Sequence, residues 1–469
     1  MIEVGLKNLN NSWKILGLNF FILGLILIIF SHIADTDDWY FHTIFIVLSS
    51  FIIFKQFMKF TYIPKETLFI DLRWIFLFSF WFYFIFGSSL LVFGSDELIS
   101  NTKNIYSVDI KTVLRINSIN SIGLSIVLLT ISFINISWPI NIMGRLKKEI
   151  KYFDPMGHRS LIVAILFCFT SFVYTFLISI AYVEKIFLFG IFQIFQHAGI
   201  GFGLVFFYYK GRYRILICFI VAVYFFLYTI SGIYFSNKSL LAAPIVFLTT
   251  IFFIKINSFK LLTILFIGFY FLFQTLGGYT SYNRSYNNDT KFTNIINLND
   301  SKHTYSLWDR LNYTSSQAAA VELYNQGDGG DSLKNIFWLF VPRFLNKDKP
   351  DVSKSGSKFA SKFREHSGSR DSPGVIIEGY YNYGWIGLIL VSTLIGLILK
   401  IYSILIKEII DNKIYAFYFL IFSGIWTCFR IDGLFITDYL GQLILFLYFI
   451  ILLNFFLIIL RSLTYSKKN

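Results

Sequence analysis

Long apolar runs alternate with short polar ones along most of this chain, and one stretch breaks the alternation. A membrane-crossing helix needs about 20 predominantly apolar residues. Runs of that kind fall at 13–33, 39–58, 69–94, 116–139, 160–183, 186–209, 215–235, 240–255, 259–278, 380–402, 414–430 and 436–460. The run at 240–255 is the shortest and holds Pro244. The pattern predicts an all-α polytopic membrane protein of about twelve transmembrane helices. Between Tyr279 and Gly374 the apolar runs stop and the chain turns polar. This divides it into an N-terminal membrane bundle over 1–278 (about nine spans), a large loop over 279–379, and a C-terminal membrane bundle over 380–469 (about three spans).

Composition agrees. Of 469 residues, 56% are hydrophobic and 14% charged, and the mean hydropathy is +0.63. A soluble domain cannot hide that much apolar surface. The net charge of +14 does not point to nucleic acid, because the charges are scattered through short loops between spans. That distribution is a topology signal. One alternate set of loops holds Lys55, Lys59, Lys65, Arg145, Lys147, Lys148, Lys151, Arg159, Lys210, Arg212, Arg214, Lys407 and Lys413. The opposite set, including Asp35 to Asp38, Ser236 to Ser239 and Arg430 to Asp432, is poorer in Lys and Arg. Positive charge stays inside, so both termini are expected in the cytoplasm and the large loop outside it. No small-residue cleavage site follows the first span, which reads as retained.

Several chemistries are disfavoured. Cys168, Cys218 and Cys428 fall in apolar runs with no metal-ligand spacing, so neither a disulfide framework nor a metal site is expected. The chain carries no phosphate-binding glycine motif and no internal repeat of the paired transporter kind. No cofactor is expected. Chemistry on the outer side has no ATP and must run on an already activated substrate.

The large loop supplies the candidates. Residues 309–325 read as a short helix, 326–332 as a turn, and 335–345 as an aromatic segment at the membrane interface. Arg343 follows Pro342, whose ring fixes the local backbone. A guanidinium grips phosphate oxygens as a two-pronged fork, and Lys349 lies close by in sequence. Arg284, Arg310 and Arg364 are further loop candidates for a diphosphate, and Lys238, in an outer hairpin, is another. Each also has a plainer reading as a surface ion pair, a lipid head-group contact or a turn cap. Glu378 lies where the chain re-enters the membrane, and an acid at that depth is costly unless paired or used. It reads as a general base, as a partner aiming an arginine, or as a cap on the first turn of the span. Tyr380, Tyr381 and Asn382 beside it suit sugars, with rings to stack and polar tips to bond hydroxyls. His366 is the other base candidate in the loop, although a lone loop histidine is more often only solvated. Asp71 with Arg73 reads as a structural pair at a span end. Arg430 and Asp432 form an outer hairpin whose arginine either snorkels to the surface or reaches the same cavity.

Pro342–Arg343, then Lys349–Pro350, then a serine-rich stretch, then Glu378–Gly379–Tyr380 and Asn382–Tyr383–Gly384 with Gly387, together resemble the Wzy-type oligosaccharide repeat-unit polymerases of O-antigen and capsule. The motifs cover about fifty residues. The rest of the resemblance is topological: many spans, cytoplasmic ends and one late outward loop. It implies a metal-independent GT-C-like membrane glycosyltransferase in the bacterial inner membrane. Such enzymes join oligosaccharide units carried on undecaprenyl diphosphate, at the outer face. The resemblance also implies loop arginines on the diphosphate, with Arg343 first among them, Glu378 as the acid of the late motif, and a chain-length regulator protein as partner. An O-antigen ligase uses the same donor and features an outward histidine, which keeps His366 in view. A flippase or other transporter and a non-catalytic assembly protein are the readings from other classes.

Overall fold

A computed structural model of the chain describes residues 2–35, 37–60, 71–94, 108–142, 144, 311–341, 350, 355–362, 372–412, 418–444 and 446–448, with isolated helical positions at 215, 219, 223, 226, 451, 455 and 459. The chain divides into two compact units. The first joins 1–140, 308–406 and 424–447, and the described residues fall mainly there. The expected spans at 160–183, 186–209, 240–255 and 259–278, and nearly all of 215–235, lie outside the described residues.

The described residues are helical, with no strand among them. The helices are α1 (Ile2–Ile33), α2 (Tyr40–Phe60), α3 (Arg73–Phe80), α4 (Ile110–Phe133), α5 (Thr314–Asn325), α6 (Ser355–Ser361), α7 (Val375–Asp411) and α8 (Tyr418–Phe429). α3 runs on through a π-helical stretch at Trp81–Phe86 to Phe93. Among the described residues, five helices are long and apolar enough to cross a membrane: Asn10–Ile33, Tyr40–Met58, Arg73–Phe93, Ile110–Phe133 and Val375–Asp411. They fall on five of the expected apolar runs.

α4 is the hub, and its sequence explains why. Its polar residues Asn117, Ser118, Asn120, Ser121 and Ser125 are buried, so its polar face is turned to protein, away from lipid. Small polar side chains let neighbouring helices come close in a membrane. Asp109 caps its start, accepting the Thr112 N–H at 2.8 Å, as an N-cap carboxylate should. Along α1, Gly17 faces Leu129 and Ser125, while Gly24 faces Ile122 and Ser118. That register makes α1 and α4 antiparallel. Along α7, Leu388 and Ser392 face Gly123, and Gly396 faces Val127 and Thr130, so α7 runs parallel to α4. His42 ties three helices together: one ring nitrogen meets the Asn117 amide at 2.8 Å and the other the Ser88 carbonyl at 3.2 Å.

Segments of the polar loop are helical. α5 forms within the stretch expected to be helical, and it packs into the bundle. Ala318, Ala319 and Ala320 are buried, and Gln317 accepts a bond from Asn120 at 3.1 Å. Just before α5, the Leu311 carbonyl rests on Gly87 so closely that a Cβ there would lie 2.1 Å from it. The aromatic segment becomes a 3-10 helix, Ser332–Phe340, with Phe337 79% exposed.

α7 is two helices. Its 37 residues break at Tyr383 and Gly384, where Gly384 takes a φ of 60°. Gly379 and Gly387 lie back to back, and a Cβ on Gly387 would sit 2.1 Å from the Gly379 carbonyl. In an unbroken helix those residues would be about 12 Å apart. The chain therefore doubles back within the run expected from 380, and the crossing limb continues from Trp385. Only glycine has a low-cost route to this bend, because it tolerates positive φ and leaves room for touching backbones.

Candidate functional site

The short limb of α7, Val375–Asn382, is buried on every side, and it carries Glu378. Gly374 starts the limb with a φ of 84°, and its carbonyl accepts the Glu378 N–H at 2.9 Å. The Glu378 side chain is 1% exposed. Ser332 Oγ donates to its Oε1 at 2.6 Å, and the Phe435 N–H donates to its Oε2. No Lys or Arg pairs with it among the described residues. The loop arginines of the arginine-aiming reading lie outside the described residues. Glu378 does lie in the first turn of α7, and it also accepts the backbone N–H of Phe435, 57 residues away.

Asn382, one turn further on, completes a relay. Its Nδ2 donates to Ser332 Oγ at 3.0 Å and to the Glu378 carbonyl at 2.8 Å. Its Oδ1 accepts the Leu333 N–H at 3.1 Å. The Ser332 hydroxyl proton has one destination at a time, and the 2.6 Å bond gives it to Glu378. Protons are thus ordered from Asn382 through Ser332 to the carboxylate.

A cavity of about 270 Å³ lies against this relay, with Ser332, Glu378, Tyr381, Leu434, Lys358 and Lys362 among its lining residues. Lys358 reaches Asp331 at 3.3 Å, and Lys362 reaches Asp328 at 2.6 Å. Burial disfavours the charge on Lys362, but the bonds to Asp328 and Tyr381 outweigh it and raise its pKa. The Gly330 N–H donates to the Tyr381 carbonyl at 2.9 Å, pinning the 326–332 turn to the short limb.

Of the expected sugar-binding residues, Tyr381 lines the cavity, whereas Tyr380 and Asn382 are buried and taken up by protein partners. The Tyr380 hydroxyl accepts from Arg115 at 2.6 Å, and its ring meets Tyr324 and Trp385 edge-on. Arg343, Arg310, Arg284, Arg364, Lys349, Lys238 and His366 lie outside the described residues. Sequence reading missed Ser332, Lys358, Lys362 and Arg115 as members of this end of the fold. The glycine-rich turn before Ser332 was the one signal pointing that way.

The outer hairpin of the sequence reading reaches this site through its backbone. Arg430 pairs with Asp432 at 3.4 Å and Asp438 at 3.3 Å, and Tyr313 donates to Asp432 at 3.0 Å. Burial raises the Asp432 carboxyl above its ordinary value, with the Arg430 charge opposing. Asp438 accepts the Leu434 N–H at 2.9 Å. Ser372 holds the Gly433 carbonyl at 2.6 Å. These bonds fix 433–435, the segment that offers its N–H to Glu378.

Asp71 provides the contrast. It meets Arg73 with both oxygens at 2.7 Å, as the paired structural group expected from sequence. Arg73 also donates to Asn10 at 2.9 Å and Ser132 at 3.0 Å. Ser132 lies 17 residues beyond Arg115 on α4, which places this pair about 25 Å down the helix from the Tyr380 end.

No protein-family model matches this chain, and no curated protein or solved structure matches it.

Proposed function

We propose that this protein is a membrane glycosyltransferase of the repeat-unit polymerase kind. It joins lipid-diphosphate-linked oligosaccharides at the outer face of a bacterial inner membrane, on about twelve spans with a GT-C-like arrangement. The observation that carries the reading is Glu378: a buried acid with no cationic partner among the described residues, held by Ser332 and the Phe435 N–H on the wall of a cavity. The Pro342–Arg343 and Glu378–Gly379–Tyr380 motifs give the substrate class.

The acceptor hydroxyl gives its proton to Glu378 as its oxygen attacks the donor's anomeric carbon. The bond from that carbon to the diphosphate breaks, and the diphosphate leaves with the electron pair. Positioned general bases of this kind contribute about 10²–10⁴ in rate. Negative charge grows on the leaving diphosphate, where cations set in place beforehand act most strongly. Arg343 is the first candidate, with Arg284, Arg310, Arg364, Lys349 and Lys238 behind it. A single displacement inverts the anomeric configuration. Tyr381, on the cavity wall, is the sugar-facing ring.

The test is a strain lacking the gene, complemented with the wild type or with Glu378→Gln, and a gel of its surface glycolipids. Long chains should vanish in the deletion while single-repeat material persists, and Glu378→Gln should behave like the deletion. Long polymer accumulating on its lipid carrier would instead identify a ligase and overturn the reading.

A further inference from the structure

The end of the bundle away from Glu378 has a polar set of its own. Arg73 gives four of its five side-chain N–H groups to Asp71, Asn10 and Ser132. Lys400, on the crossing limb of α7, is less fully met. Its ammonium donates to the Ile131 carbonyl at 3.1 Å, and no carboxylate bonds it among the described residues. An ammonium has three N–H donors, and this one is half-buried with a single backbone acceptor. Past the end of α4, residues 134–137 leave the helix. A cavity of about 340 Å³ opens there, lined by Asn135, Ile136, Ser137, Lys400 and Ile404.

The lining combines a cation, two small hydrogen-bonding side chains and two aliphatic walls. That is the chemistry of a phosphate ester attached to something apolar. Trp138, the next residue, is 43% exposed, and Ile140 is exposed beside it. Exposed tryptophan is typical of head-group depth. Lys14 sits 4.1 Å from the Phe133 ring at the same end, a second cation among the described residues there. We propose that this cavity seats the phosphate of an anionic glycerophospholipid, with Lys400 as the charged contact. The site owes nothing to the glycosyltransfer reading and stands or falls apart from it.

The test uses the full chain purified in detergent, native mass spectrometry, and three probes: phosphatidylglycerol, phosphatidylcholine and inorganic phosphate. Phosphatidylglycerol should bind the wild type in preference to phosphatidylcholine, whose choline cancels the lipid's net charge. Lys400→Gln should weaken phosphatidylglycerol binding about fivefold, the value of one lysine near an anionic surface, and Lys400→Arg should restore it. Asn135→Leu, on an exposed segment, provides a variant that keeps the fold and should also weaken binding. Unchanged phosphatidylglycerol affinity in Lys400→Gln and Asn135→Leu, or equal binding of the two lipids, would overturn the proposal. Inorganic phosphate displacing phosphatidylglycerol would overturn the lipid as its source.

Discussion

Asp71 and Glu378 are both buried acids in an apolar bundle, and they are compensated in opposite ways. Asp71 is met by a guanidinium on both oxygens. Glu378 is met by a hydroxyl and a backbone N–H, and it faces a cavity. A closed ion pair has nothing left to offer a substrate; Arg73, fixed by Asp71, instead ties the start of α3 to Asn10 of α1 and Ser132 of α4. An acid satisfied only by neutral donors keeps the ability to take a proton. Burial alone therefore does not mark a functional carboxylate, and the identity of its partners does.

Six substitutions, in five experiments, test that contrast. Glu378→Gln should lower polymer elongation about 10²–10⁴-fold while the protein still folds, read from chain length on gels and from thermal unfolding in detergent. If elongation survives and unfolding moves as far as in an Arg73 variant, both acids are structural and the contrast fails. Arg73→Met should destabilise the fold by about 3–5 kcal/mol, since it strands a buried carboxylate. Adding Asp71→Asn should recover much of that loss. Ser332→Ala removes a bond to a buried acid and should cost about 1.5–3 kcal/mol, with elongation falling alongside. Gly379→Ala should cost about 1–3 kcal/mol by overpacking the α7 hairpin, measured as a lower unfolding midpoint. Lys362→Ala touches a largely exposed pair with Asp328 and should change stability by less than about 1 kcal/mol. A larger loss of elongation than of stability there would place Lys362 on substrate.

Much of the fold is legible in the sequence because a membrane imposes a length. Five of the expected apolar runs return as helices long enough to cross it, and α5 lies within residues already patterned as a helix. The Asp71–Arg73 pair was readable because the two are neighbours. The α7 hairpin was not. By composition 380–402 is one unbroken apolar run, and only the positive φ at Gly384 and the touching Gly379 and Gly387 divide the helix that contains it.

The site divides in the same way. Glu378 stood out as an acid beside apolar sequence, and Tyr381 as an aromatic next to it. Ser332 lies 46 residues before Glu378 and Phe435 57 after it, and no local pattern joins them. Hydropathy and charge act residue by residue, so an all-helical chain of membrane-crossing character and one costly acid can be read from the amino-acid order alone. Which donors surround that acid, that α5 lies inside the bundle, and that Tyr380 and Asn382 serve the protein's own interior are set by the folded packing. Those outcomes depend on segments distant in sequence meeting in space.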